Sequence, residues 1–252
     1  MNSTVSFRYE RELVSILVSC VRELRLDDGC FCFWKTEFPA GSRVVDVAVA
    51  GFREDPLLNK AYLRKLRSLP SIFSDILGVI SYYRSTDIQA LSRYTGLDED
   101  SLNGYLAHLD KAGLVEQVNG TVQLGRWQDF LPDIVITIEA KLVRWKQVVK
   151  QAERNCFWAN ESYVALPPDT ASRDEVRALC IDRGLGILSV NTDQVKVTYK
   201  PCGRRPETTI ASMMRVKILK DILAGRAWLR SELPDKGGLH GHLCSSVRCD
   251  RA

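Results

Sequence analysis

The spacing of apolar positions changes period along this chain, and each change marks an element. Over residues 8–25 apolar side chains return at Leu13, Ile16, Leu17, Cys20, Val21 and Leu24, which is one face of a helix. Asp27, Asp28 and Gly29 end it with turn chemistry. Residues 30–38 are rich in aromatics and 43–50 are almost wholly apolar, so both read as strands, joined by a hairpin turn at Pro39 to Ser42. The stretch 51–60 turns polar and carries a proline, which marks a boundary. From about 57 to 84 the period is helical, with a break near Pro70. Residues 86–124 then read as helix, turn, helix and hairpin. Ile88, Leu91 and Tyr94 form one stripe, and Leu102, Leu106 and Leu109 a second. Gly96 suits a left-handed turn, Asp98 caps the next helix and Gly113 stops it. Asn119-Gly120 is a hairpin turn.

Further on, a strand over 131–142 is followed by a helix over 143–159 and a strand over 163–166 closed by Pro167 and Pro168. A helix over 172–183, strands over 186–190 and 194–199, a helix over 208–224 and a polar tail complete the pattern. Interleaved strands and helices predict an α/β layer, with the block 55–127 lying between two of its strands. The expected organisation is a discontinuous α/β core (1–54 plus 128–225), an inserted, mostly helical domain (55–127) and a polar tail (226–252), expected to be flexible.

Composition narrows the function classes. Of 252 residues, 45% are apolar and 26% charged, enough core material to exclude a disordered chain. The longest apolar runs are strand-sized, short of the roughly 20 residues a membrane helix needs. Eight cysteines invite a disulfide reading. The N-terminus lacks the pattern of a secretory signal, and Cys20, Cys30, Cys32, Cys156, Cys180 and Cys202 sit among apolar neighbours as small hydrophobes. A reducing cytoplasm is therefore expected. The net charge of +4 is compatible with a nucleic-acid partner without requiring one.

The chemistry concentrates in acids at the ends of apolar strands. Asp46 interrupts a run of valines and alanine, and Glu139 and Lys141 end the strand over 131–142. A period of two places Glu139 and Lys141 on one face. A carboxylate in a strand interior is costly unless it is paired or binds a metal. Two acids with a lysine beside them suit Mg²⁺ (or Mn²⁺), whose oxygen ligands include carboxylates and phosphates. Such a cation acidifies a bound water and stabilises phosphoryl charge, while Lys141 orients that water or neutralises the phosphate.

Asp46 followed by Glu139-Ala140-Lys141 resembles the signature of the PD-(D/E)xK nuclease superfamily, which has the restriction-endonuclease-like fold. Glu10, Arg11, Glu12, Leu13 and Val14 look like the opening of archaeal-type Holliday-junction resolvases, whose first Glu belongs to the active site. That implies Glu10 here, with Glu12 the second choice. Many members carry a Gln on the helix after the signature strand. Gln151 fits that place better than Gln147. The resemblance covers about 1–54 and 128–200. It implies a Mg²⁺-dependent deoxyribonuclease with Asp46, Glu139 and Glu10 on the metal, and Lys141 and Gln151 completing the catalytic set. In compact members a hairpin separates the Asp from the signature, whereas here 92 residues do (47 to 138). The fold then requires the intervening block to be an insertion.

That block resembles a winged helix-turn-helix module, as in MarR-like regulators. Its recognition helix would begin at Asp98, Glu99 and Asp100, which repel phosphate, while Ser101, Asn103, His108 and Lys111 are able to contact DNA. Ser101, Asn103 and Lys111 are the DNA-binding candidates on this helix. Basic residues are denser elsewhere. Arg144, Lys146, Lys150 and Arg154 line the helix after the signature strand, and Lys200, Arg204, Arg205, Arg215, Lys217 and Lys220 follow. A basic stripe beside a carboxylate site suits a DNA backbone. The alternatives are a non-catalytic DNA-binding regulator on a degenerate nuclease scaffold, or an accessory protein that docks a partner, or a second copy, through the winged helix. His240, His242, Cys244 and Cys249 have zinc-ligand types, but their spacing does not match the common structural zinc patterns.

Overall fold

The computed structural model describes residues 7–19, 31–58, 60–201, 203 and 206–230, with the backbone alone for 60–62. Expectations placed on Cys20, Val21, Leu24, the 27–29 turn, Cys30, Cys202, Arg204, Arg205 and the His240–Cys249 cluster lie outside these residues.

The chain opens with α1 (Glu10–Ser19), which buries Leu13 and Leu17, one turn apart on one face. Strands β1 (Phe31–Ala40) and β2 (Arg43–Phe52) form a hairpin. Its turn needs Gly41, whose φ of +66° a side chain would strain. Helices α2 (Lys60–Arg67) and α3 (Ile72–Tyr83) flank Pro70. Then follow β3 (Ser85–Thr86), α4 (Ile88–Thr95) and α5 (Glu99–Lys111). The pair β4 (Val115–Val118) and β5 (Thr121–Leu124) turns through Asn119 and Gly120, both at positive φ. A short 3₁₀ turn (Arg126–Phe130) leads into β6 (Ile134–Ala140). The remaining elements are α6 (Trp145–Asn155), β7 (Glu161–Leu166), α7 (Pro168–Ala171), α8 (Asp174–Asp182), β8 (Gly186–Val190), β9 (Val195–Tyr199), α9 (Thr209–Leu223) and β10 (Leu229–Arg230).

Seven strands form one mixed sheet in the order β10-β1-β2-β6-β7-β8-β9. The pairs β6–β7 and β7–β8 are parallel, and the others antiparallel. The fold is therefore mixed α/β, a sheet flanked by helices. One face packs on α1 through Val47, Val49, Ile136, Ile138 and Ala140. The alternate strand positions serve the opposite face: Val164, Leu166 and Ile187 cluster with Val148 and Ala152 of α6 and Val176 of α8, and Ala48, Ala50 and Val135 share a cluster with Val216 and Ile218 of α9. No helix among the described residues is long and apolar enough to cross a membrane.

The block between β2 and β6 connects strands that are neighbours in the sheet. It has its own three-stranded sheet, β3-β5-β4. Its core is nonetheless continuous with the larger one. Leu63, Phe73, Ile76 and Ile80 belong to the same buried cluster as Phe33, Phe38, Val216 and Ile218. Helix α3 crosses α9 at Gly78, where an added Cβ would come within 2.5 Å of the Met213 Cα. Only a glycine permits that approach. The segment expected as a tail also contributes structure, since Leu229 and Arg230 pair with Trp34 and Phe33 at the sheet edge.

Candidate functional site

The ladder between β2 and β6 ends at Val47↔Ile138. The next positions outward are Asp46 and Glu139. Here the Asp46 side chain substitutes for the missing strand partner: the Ala140 N–H donates to its Oδ2 at 2.7 Å. A buried backbone donor is thereby satisfied where the strands part. Across the hairpin, Glu37 sits at φ +49°, a left-handed conformation that strains a residue with a Cβ. It falls between the pairs Thr36↔Val47 and Phe38↔Val45. The inward alternation of β1 reverses there, so that Phe33 and Phe38, five residues apart, join one core cluster. Asp46, level with this irregularity, lines an open cleft instead of entering a core cluster.

Glu139 is only 3% exposed. Because Ile136, Ile138 and Ala140 face α1, Glu139 faces α6, where the Asn155 Nδ2 donates to its Oε1 at 2.8 Å. Burial pushes its carboxyl up to about 7, and the nearby Asp46 charge adds to that. The Asn155 bond, Lys141 and Arg43 act in the opposite direction. Burial also raises Asp46, with Glu10 and Glu37 contributing. The Ala140 bond and Lys141 oppose the rise.

Lys141 lies just past the end of β6, so strand alternation no longer fixes its direction. Its ammonium meets the Glu10 Oε2 at 2.6 Å, at the first residue of α1. Glu139 and Lys141 thus differ from the expectation of a shared face: one is held by α6, the other by α1. Lys141 still lowers both Glu139 and Asp46, and the Asp46 charge raises Glu139. Glu12 has a local role, its Oε2 accepting from the N–H groups of Arg8 and Tyr9 at the start of the helix.

The cleft beside Asp46 has a volume of about 560 Å³ and runs between α1 and β1. Glu10, Thr36, Glu37 and Asp46 line one part, and Val14, Val18, Trp34 and Leu229 another. On α6, Gln151 stands one turn before Asn155 on the same face. Among the described residues its buried Oε1 has no hydrogen-bond partner. Arg144, Lys146, Lys150 and Arg154 are exposed, and the last three repeat every four residues as one stripe. The Lys146 ammonium lies over the Trp145 ring at 5.4 Å.

The candidates on α5 stand apart from this site. Asp98 caps the helix, accepting the Ser101 N–H and the Ser101 hydroxyl, each at 2.8 Å. Those bonds hold the Asp98 carboxyl below its ordinary value. Ser101 is therefore engaged in the cap, while Asn103 and Lys111 are exposed. Arg215 and Lys220, read as part of a basic surface, are buried: the Arg215 guanidinium donates to the Pro132 carbonyl and to Asn160.

Sequence reasoning missed Asn155, Glu37 and Trp34. The first had a signal, since it follows Gln151 by four residues on a helix. Glu37 and Trp34 had none beyond their place in a strand.

No protein-family model matches this chain, and no curated protein matches it. Among solved structures it is similar to ligand-free NadR, at 23% identity over 29% of this chain and 56% of that one, with a TM-score of 0.24. It is also similar to SPO1766, a protein of unknown function from Silicibacter pomeroyi, at 14% identity over 50% of this chain and 84% of that one, with a TM-score of 0.27. The chain thus spans about half the length of NadR, and neither likeness establishes a family.

Proposed function

We propose that this chain is a metal-dependent deoxyribonuclease of the PD-(D/E)xK type, with a restriction-endonuclease-like sheet carrying the site and a winged helix inserted between β2 and β6. The observation that carries this reading is the placing of Asp46 and Glu139 on neighbouring strands where those strands separate, with Lys141 and Glu10 beside them. Two acids raised by burial on neighbouring strands gain from a cation, and the Gln151 oxygen, without a hydrogen-bond partner among the described residues, is a donor of the same hard class. Asp46 and Glu10, which line one cleft, would hold Mg²⁺ or Mn²⁺ together with Glu139, whose side chain is held by Asn155 on the α6 side and must reach towards them. When bound the cation supplies phosphoryl charge neutralisation and a more acidic water.

The protein groups have separable tasks. The Ala140 N–H fixes the Asp46 carboxylate, and Asn155 fixes Glu139. Glu10 holds the Lys141 ammonium at the mouth of the site, where its charge meets that of a scissile phosphate. The stripe Lys146, Lys150 and Arg154, with Arg144, attracts the flanking backbone. The test is cleavage of DNA in Mg²⁺ or Mn²⁺. The wild type cuts, and Glu139→Ala and Lys141→Ala lose cutting while their circular dichroism stays native. Metal-independent binding without cleavage of duplex, branched or single-stranded DNA would contradict the proposal.

One observation favours a second reading for the inserted block. Residues 85–124 carry Asp87, Asp98, Glu99, Asp100, Asp110 and Glu116 against only Arg93 and Lys111. That balance is local, since the whole block 55–127 carries as many basic as acidic residues. Within 85–124 it repels phosphate and suits a basic protein surface. In this reading the block docks a partner protein, and the sheet serves as a non-catalytic scaffold.

A further inference from the structure

The cleft beside Asp46 is two-ended. Thr36, Glu37 and Asp46 give it a polar end, and Val14, Val18 and Trp34 an apolar one. The ends are ordered along the strands. Asp46 is level with Glu37, whereas Trp34 pairs with Val49. Three residues of strand rise, about 10 Å, therefore separate the two levels.

Trp34 packs against the smaller core under α1 and differs from the aromatic residues Phe33 and Phe38 of the larger core. It is half-buried, and among the described residues no ring or cation stacks on its indole. Phe33 and Phe38, by contrast, are engaged by Phe52, Trp158 and Trp228. Unlike the buried Trp127, whose N–H donates to the Leu114 carbonyl at 2.6 Å, Trp34 is half-buried, so its N–H does not require a partner within the protein. No hydrogen bond from the Trp34 N–H is formed among the described residues. A flat aromatic surface thus stands at the apolar end of the cleft, with the carboxylate site at the other.

We infer that this cleft takes one unpaired nucleotide, its base stacked on Trp34 and its flanking phosphate at Asp46, so that the substrate is a single strand or an unpaired DNA end. A nucleotide matches the apolar end through its flat ring system, while its phosphate meets an acidic end and is accepted there only with a cation between them, Arg11 being the basic side chain that also lines the cleft. A volume of about 560 Å³ lies within the range of small-ligand pockets. A paired base can enter only by leaving its stack, at a cost of a few kcal/mol that an unpaired base avoids. Base–aromatic stacking tolerates any sequence, since every base has a π-face. This inference rests on the nuclease reading for the role of Asp46, but not for the stacking itself.

The test is binding of a fluorescent oligo-dT and of a blunt duplex of equal length to the full chain, in Ca²⁺ and separately in EDTA. The variants are Trp34→Leu, which keeps apolar bulk against α1, and Trp34→Phe, which keeps an aromatic ring. The expected result is tighter binding of oligo-dT than of duplex. Trp34→Leu weakens oligo-dT binding about tenfold to a hundredfold, and Trp34→Phe restores most of it. Duplex binding stays within about twofold in both variants. Equal affinity for the two DNAs, or a folded Trp34→Leu with unchanged oligo-dT affinity, overturns the inference. Trp34-dependent binding of oligo-dT without cleavage in any divalent metal overturns the nuclease reading alone. Equal cleavage of duplex and single strand, unaffected by Trp34→Leu, overturns this inference alone.

Discussion

Two groups of acids in this molecule stand in opposite relation to folding. At the parting of β2 and β6, Asp46 and Glu139 are raised in pKa, with burial the leading cause. At the start of α5, Asp98 is lowered because it accepts the Ser101 N–H and hydroxyl at the helix cap. The first pair opposes the folded state once ionised, whereas Asp98 supports it. A helix N-terminus is an ordinary place for acids, which the helix dipole favours. Two neighbouring acids raised by burial, one of them further raised by the charge of the other, have no such explanation, and perturbed groups of this kind concentrate at functional sites. The contrast is the reason the proposed chemistry is assigned to the sheet and not to α5.

The comparison breaks most visibly in turnover. Asp46→Asn and Glu139→Gln should each lower the cleavage rate by about a hundredfold or more, in the range seen when one charged or polar catalytic group is removed. Glu99→Gln and Asp100→Asn should leave it unchanged. Rates that fall equally in both regions would end the distinction. Next in size is the response to salt. Replacing Arg144, Lys146, Lys150 and Arg154 together by Ala should flatten the dependence of log affinity on log salt by about 3, if all four contact phosphates. Lys111→Ala should flatten it by about 1 at most, and Asn103→Ala not at all.

Stability sharpens the contrast further. The folded Glu139 carboxyl titrates near 7 against an ordinary 4.5. Its favourable contribution is complete below the ordinary value and is lost as the pH rises through about 7. Glu139→Gln, which keeps an acceptor for Asn155, should therefore stabilise the protein at pH 8 by an amount of the order of 2 kcal/mol. The gain should vanish towards pH 4.5 in denaturant melts, near the ordinary carboxyl value. Asp98→Ala should do the reverse and by less. It lowers the melting temperature at pH 7, and the deficit closes as acid protonates the wild-type cap, because a lowered pKa contributes stability only while the group is ionised.

Much of this arrangement was legible in the residues. Period-two apolar runs broken by Asp46 and ended by Glu139 mark strands with acids at one end, and Gly41, Gly96 and Asn119-Gly120 fall where positive φ is required. What eluded the pattern depends on neighbours distant in sequence. The left-handed Glu37 reverses the alternation of β1, which local periodicity does not anticipate. The strand-based placing of Lys141 failed because β6 stops one residue earlier. The separateness expected of residues 55–127 came from the polar stretch 51–60 and the block's own helix and hairpin pattern, but α3 packs across Gly78 onto α9, more than a hundred residues later. Leu229 and Arg230 join the sheet through a short edge pairing that two residues cannot announce.

The most direct measurement of the central claim is calorimetric titration of the full chain with Mn²⁺ at pH 6 and pH 8. A single saturable site is predicted, tighter at pH 8 as Glu139 gives up its proton, because carboxylate ligands bind a cation in their ionised form. Asp46→Asn and Glu139→Gln should lose it, and Asp100→Asn should bind as the wild type does. Absence of saturable binding in the wild type, or binding that survives Asp46→Asn unchanged, would contradict the account.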